Sequence, residues 1–127
     1  MNTKKEPRKI LIIEDERSLR EAITDILQLK DFLPLSAKNG KEGVEIAQRE
    51  HPDLILLDLI MPEMDGMIAF KKIREDAWGE KVPIIILTNL SATNEQFMTT
   101  HDPTYYLIKS DWKLHAIVRK IVEILDK

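Results

Sequence analysis

Residues 54–66 read Leu54-Ile-Leu-Leu-Asp58-Leu-Ile-Met-Pro-Glu-Met-Asp-Gly66. The apolar run at the start of this stretch predicts a buried β-strand that ends on the carboxylate of Asp58. A segment that carries proline and glycine follows at once and predicts a turn. Because ligands of open parallel sheets bind beyond the carboxyl ends of the strands, we expect Asp58 to lie at a binding edge.

Other apolar runs predict further strands of the same sheet. Their apolarity is continuous rather than alternating, which is typical of parallel strands that are covered on both faces. A weaker segment, residues 33–37, predicts one more strand, which is the second of five in chain order. Pro34 favours an edge position for this strand, or a place at its beginning. The strong runs are residues 10–13, 54–57, 84–87 and 105–108.

Helical patterns lie between the strands, so the chain alternates β and α elements. Ser18 and Glu21 predict a capping box at the start of the first helix, and Asn39 predicts the N-cap of the second. The segment between the fourth and fifth strands is the least helical. Right-handed crossovers then place helices on both faces of the sheet, which predicts an α/β domain.

Composition narrows the class of protein. The 127 residues suit one domain, and a net charge of −3 with mixed signs shows no basic stripe for nucleic acid. The chain has no cysteine, which excludes disulfides and thiolate metal sites. Residues 1–7 predict a polar tail rather than a signal peptide, and no apolar stretch is long enough for a bilayer, so we expect a cytoplasmic protein without membrane insertion.

Polar residues that carry chemistry stand at the ends of several predicted strands. Glu14 and Asp15 follow the first strand, Asp58 ends the third, Thr88 ends the fourth and Lys109 follows the fifth. If the third strand lies beside the first, the three carboxylates converge and repel one another unless a cation lies between them. Mg²⁺ suits such an oxygen-only set, whereas zinc does not. Asp58 is then a candidate nucleophile for a phosphoryl group, with Lys109 and Thr88 to neutralise and orient it.

The motif Asp58-x-x-Met-Pro-x-Met-Asp-Gly66, joined to Glu14-Asp15, Thr88 and Lys109, resembles the receiver domain of bacterial two-component response regulators, the CheY-like family. The resemblance extends over residues 9–126. It implies a flavodoxin-like (βα)5 three-layer sandwich whose parallel five-stranded sheet has the order 2-1-3-4-5. We therefore expect the domain to occupy residues 8–127.

The resemblance also implies roles at the metal site. Asp58 is the expected phosphoacceptor in a Mg²⁺-dependent reaction whose donor is a sensor histidine kinase or a small phosphodonor. Asp15, Asp58 and the backbone carbonyl of Ile60 are the expected direct ligands of Mg²⁺, and Glu14 acts through metal-bound water. The chain is then not an enzyme, since it catalyses only its own phosphorylation and dephosphorylation.

Signalling follows from the same resemblance. Thr88 and Lys109 hold the phosphoryl group, and Tyr106 matches the aromatic switch residue that moves with Thr88. We expect the fourth predicted helix, the fifth strand and the last helix to change as a surface and to signal to an unidentified protein target. A standalone docking receiver, as a monomer or a weak phosphorylation-dependent dimer, is the preferred interpretation over a piece of a longer chain.

Three positions depart from the family pattern. Ser110 replaces the proline that usually follows the lysine, so we expect a trans bond there. Asn89 replaces a very small residue, and residues 101–104 replace the usual Gly-Ala ahead of the fifth strand, which bears on the dimer or target surface. Ile60 and Leu90 place apolar bulk beside the site, and we predict that they slow dephosphorylation by water.

Three other interpretations remain open from the residues. A pseudo-receiver would keep the fold as a constitutive interaction module without phosphorylation. A phosphatase of the haloacid dehalogenase type needs a second aspartate where Ile60 stands. A flavodoxin-like FMN binder needs a phosphate cradle rich in glycine, and the first turn here is acidic instead.

Overall fold

The computed structural model describes residues 6–58, 66–88, 104–108 and 114–126. The strands are β1 (Lys9–Ile13), β2 (Leu33–Ala37), β3 (Leu54–Asp58), β4 (Ile84–Thr88) and β5 (Thr104–Ile108), and the helices are α1 (Arg17–Leu29), α2 (Gly40–Glu50), α3 (Gly66–Glu75) and the C-terminal helix (Leu114–Leu125). All five strands are parallel and form one sheet of the order β2-β1-β3-β4-β5, which confirms the predicted topology. None of the described helices has the length and apolarity that a membrane span requires.

Helices cover both faces of the sheet, as the continuous apolar runs predict. Successive strand residues point to opposite faces, so Leu11 and Ile13 join one core and Ile10 and Ile12 join the other. The first core lies under α2 and α3, and the second lies under α1 and the C-terminal helix. Residues 10–13, 54–57 and 84–87 of the central strands are therefore fully buried on both faces of the sheet.

Strand β2 is an edge strand, which confirms the interpretation of its proline. The backbone N–H of Leu33 donates to the carbonyl of Arg8 at 2.9 Å, so Leu33 faces β1. Because strand residues alternate, Pro34 faces the open edge, where the missing N–H removes no ladder hydrogen bond. Proline also leaves this edge with one donor fewer for pairing with another chain.

The two predicted helix starts have different outcomes. Asn39 Oδ1 accepts a hydrogen bond from the backbone N–H of Glu42 at 2.8 Å, which confirms the N-cap of α2. The predicted capping box of α1 is wrong, since α1 begins at Arg17, directly after the acidic loop. Ser18 therefore lies inside the first turn, and Arg17 Nε donates to Glu21 at 2.9 Å instead. The helix expected between β4 and β5 falls on residues 89–103, which lie outside the described residues.

Helix α2 packs close against β1 at Gly43. A Cβ atom at this position would lie 2.5, 2.7 and 3.0 Å from the Cδ1, Cγ1 and Cγ2 atoms of the buried Ile13 side chain. Such distances are shorter than van der Waals contact, so only glycine fits without displacing Ile13. Because Ile13 directly precedes Glu14 in the chain, this contact fixes the strand end that carries the acidic residues.

Candidate metal and phosphoryl site

Two adjacent central strands place acidic residues at the same edge of the sheet. Ile13 of β1 lies in register with Leu57 of β3, so Glu14 and Asp58 occupy the next position along each strand. The backbone N–H of Glu14 donates to the carbonyl of Ala37 at 3.1 Å, which extends the ladder with β2 by one residue. The backbone therefore places Glu14 beside Asp58, as the sequence predicts.

The carboxylates of Glu14, Asp15 and Asp58 form one cluster, in which a ligand oxygen of each residue lies within 4.8 Å of the others. Glu14 is fully buried and Asp58 is 4% exposed, whereas Asp15 is exposed to solvent. Carboxylates at this separation repel one another. A hard divalent cation relieves the repulsion and takes oxygen ligands from such a set, so the residues present fit Mg²⁺.

Hydrogen bonds hold the backbone of the acidic loop in place. Glu14 Oε2 accepts from the backbone N–H of Glu16 at 3.1 Å. Arg20 Nη1, from the first turns of α1, donates to the carbonyl oxygen of Glu14 at 2.8 Å and to that of Asp15 at 3.5 Å. The guanidinium thus binds the main chain of the loop. Sequence reasoning missed Arg20, because contacts from a side chain to the main chain have no periodic signature.

Three ion pairs away from the carboxylate cluster shift the pKa values of their members. The hydrogen bond from Arg17 to Glu21, with their charge attraction, raises the pKa of the Arg17 guanidinium. At the other end of the sheet, hydrogen bonds from Arg49 and Lys9, both at 3.2 Å, lower the pKa of the Glu50 carboxyl. All three pairs are solvent-accessible, so salt weakens them.

The remaining predicted site residues are placed only in part. Thr88 is the last residue of β4 and lies in register with Ile108, and Tyr106 of β5 lies in register with Ile86. The side chains of Thr88 and Tyr106 lie outside the described part of the structure, as do residues 60 and 109 as a whole. Their roles, and the effects expected of Asn89, Leu90 and Ser110, stay predictions.

Comparison with known proteins agrees with this arrangement. Residues 10–120 match the family model of the response regulator receiver domain. A probable transcriptional regulator of Porphyridium aerugineum, ycf27, is 35% identical over 122 residues, which cover 94% of this chain and 50% of that protein. A histidine kinase of Formosa agariphila, P4, is 41% identical over 124 residues, which cover 98% of this chain and 9% of that protein. The chain thus spans half or less of the length of these relatives.

A solved structure with the same fold carries a metal at its own site. It is the receiver domain of a sensor histidine kinase from Pseudomonas aeruginosa PAO1, described with a magnesium ion coordinated in the active site cleft. It is 26% identical to this chain, with a TM-score of 0.82, and the match covers 95% of this chain and 99% of that one.

Proposed function

Because this chain belongs to the response regulator receiver domain family, we propose that it accepts a phosphoryl group on Asp58 in a Mg²⁺-dependent reaction and signals to a partner protein. The observation that carries the proposal is the convergence of Glu14, Asp15 and Asp58 at the carboxyl edge of the sheet. Without a cation, repulsion among clustered carboxylates destabilises a fold. Around Mg²⁺, the same carboxylates are neutralised, and an anionic phosphodonor can approach Asp58.

The transfer itself needs one nucleophile and an electrophilic phosphorus. A carboxylate oxygen of Asp58 attacks the phosphorus, and a new P–O bond forms while the bond from phosphorus to the donor breaks. The donor, either a phosphohistidine nitrogen of a sensor kinase or the acyl oxygen of a small phosphodonor, leaves with the electron pair. Mg²⁺, when bound, would neutralise the charge on the phosphoryl oxygens. Water attack on the acyl phosphate later releases phosphate and restores Asp58.

Residues of the chain hold this arrangement with different roles. Asp15 and Asp58 bind the metal directly in the proposal, together with the carbonyl of residue 60, and Glu14 binds it through water. Glu14 is held by its own hydrogen bond from the N–H of Glu16, and Arg20 fixes the main chain between them. Arg20 is therefore a positioning residue. The proposal assigns the phosphoryl oxygens to Thr88 and Lys109.

Signalling requires that phosphorylation favour one of two conformations. We assign this coupling to Thr88 and Tyr106, which stand on the adjacent strands β4 and β5. Phosphate must favour the active state by a few kcal/mol to move the population decisively. The partners in this proposal are a sensor histidine kinase and a downstream protein target.

The test is the mass of the intact protein after incubation with acetyl phosphate and Mg²⁺. The parent protein should gain the mass of one phosphoryl group, and neither Asp58→Asn nor the parent in EDTA should gain it. Asp25→Asn, on the exposed face of α1, is the matched control and should be phosphorylated like the parent. A parent protein that gains no mass under any condition would contradict the proposal and favour a constitutive interaction module.

A further inference from the structure

An open groove lies between α1 and the C-terminal helix, on the face of the sheet opposite to α2 and α3. Its volume is about 410 Å³, which is within the range of protein ligand sites. Its floor and walls are apolar, formed by Ile26 and Leu29 of α1 and by Val118 and Val122 of the C-terminal helix. Leu29 is 82% exposed and Val122 is 37% exposed, so the groove presents apolar surface to solvent.

The polar residues that line the groove are basic. They are Lys30, His115 and Arg119, and none of the acidic residues in the described ranges lines it. Lys30 and Arg119 are exposed and make no salt bridge within the described ranges. Glu123, one turn beyond Arg119, pairs with Lys120 at 3.1 Å. An otherwise acidic chain, of net charge −3, thus carries an apolar groove with a cationic rim.

We propose that this groove binds an acidic amphipathic helix of a partner protein. A groove between two helices suits the apolar face of a third, whose anchors recur at positions i, i+3, i+4 and i+7. Glutamate or aspartate beside those anchors would lie opposite Lys30 and Arg119 and would guide association. A second copy of this chain fits less well, because a two-fold contact through the groove would bring both cationic rims together.

The groove is separate from the carboxylate cluster. Leu29 ends α1, about 18 Å along the helix axis from its first residue, which follows the acidic loop. None of the lining residues belongs to the cluster. Binding of a helix to the unphosphorylated protein therefore tests this proposal separately from the proposed function, and either of the two can fail alone.

The test uses a fluorescent synthetic helix with leucine at i, i+3, i+4 and i+7 and glutamate on both flanks of that stripe. Fluorescence anisotropy should show saturable binding to the parent protein, and NMR shifts of the amides should map to Leu29, Val118 and Val122. Arg119→Glu should weaken binding at least about tenfold, and added salt should weaken binding to the parent. Leu33→Glu is the matched control, since Leu33 is an exposed apolar residue outside the groove, and it should bind like the parent. Far-UV circular dichroism checks that both variants are folded.

Several outcomes would overturn the proposal. A matched peptide with lysine in place of glutamate should not bind, and equal binding of the two peptides would remove the argument from charge. Absence of binding by the glutamate peptide would also refute it. Self-association of the chain that Arg119→Glu abolishes, seen by sedimentation velocity, would assign the groove to a second copy. Binding to phosphatidylserine vesicles that Arg119→Glu abolishes would assign it to a membrane surface. The Asp58→Asn protein should bind the glutamate peptide as tightly as the parent does.

Discussion

Replacing Asp15 with asparagine should stabilise the metal-free protein, because it removes one of three negative charges from the carboxylate cluster. Ligand oxygens of Asp15 lie within 4.8 Å of those of Glu14 and Asp58. At this distance two unit charges repel by about 0.9 kcal/mol in the dielectric of bulk water and about 3.5 kcal/mol at a dielectric constant of 20. Asp15 is exposed, so the lower value applies, and its two neighbours together give about 1–2 kcal/mol.

The assay is urea unfolding at pH 8 in EDTA and again with Mg²⁺. The parent protein should gain stability from Mg²⁺, by about 2.7 kcal/mol at a concentration one hundred times the dissociation constant. Asp15→Asn should have a higher unfolding free energy than the parent in EDTA. It should gain less stability from Mg²⁺ than the parent does, because it lacks one metal ligand. Glu16→Gln is the matched control, because it removes an exposed carboxylate one residue away that lies outside the cluster.

Two results would refute this reasoning. If Asp15→Asn is no more stable than Glu16→Gln in EDTA, the three carboxylates do not repel one another in the folded state. If Mg²⁺ stabilises Asp15→Asn as much as it stabilises the parent, the ion binds elsewhere.

Three further predictions test residues that support the site or stabilise the fold. Arg20→Met should weaken Mg²⁺ binding several-fold in an NMR titration. It should lower the unfolding free energy by only about 1 kcal/mol, because the loop carbonyls lose a donor but can accept hydrogen bonds from water. An unchanged Mg²⁺ affinity would show that Arg20 does not position the site. Gly43→Ala should destabilise the protein by about 1–3 kcal/mol, measured by urea unfolding. Ile13→Ala should lower the unfolding free energy less in the Gly43→Ala protein than in the parent, because it removes the atoms that clash with the new Cβ. The lowered pKa of Glu50 means that its ion pairs stabilise the fold above the ordinary value of 4.5 and cease to do so as pH falls through the lowered pKa. Glu50→Gln should therefore be less stable than the parent at neutral pH, and urea midpoints should converge at acidic pH; a constant gap would contradict the assignment.

Much of the fold follows from local patterns in the sequence. The run that ends at Asp58 has no polar residue to place on a solvent face, so it predicts a doubly covered central strand, and β3 is fully buried. Pro34 limits β2 to an edge of the sheet because proline has no backbone N–H to donate. Asn39 caps α2 through its own side chain. Each of these predictions depends on one residue and its neighbours in the chain, which is why sequence reasoning reaches them.

Other features were missed, were wrong, or were predicted only on the condition of a particular strand order. Gly43 looks like an ordinary helical glycine until Ile13 of β1 is packed against it. Ser18 has the spacing of a cap, but the helix begins earlier, at Arg17, where it leaves the acidic loop. The approach of Glu14 to Asp58 depends on strand order, which residue spacing alone does not determine. The parallel pairing of β1 with β3 brings the two residues together.

The most direct test of the central claim locates the phosphoryl group on the chain. After incubation with acetyl phosphate and Mg²⁺, borohydride reduces an aspartyl phosphate to homoserine, which peptide mass mapping identifies by residue. The account predicts homoserine at position 58 alone, formed with Mg²⁺ and absent in EDTA. Homoserine at another aspartate, or an unmodified peptide around Asp58 in a protein that binds Mg²⁺, would contradict it.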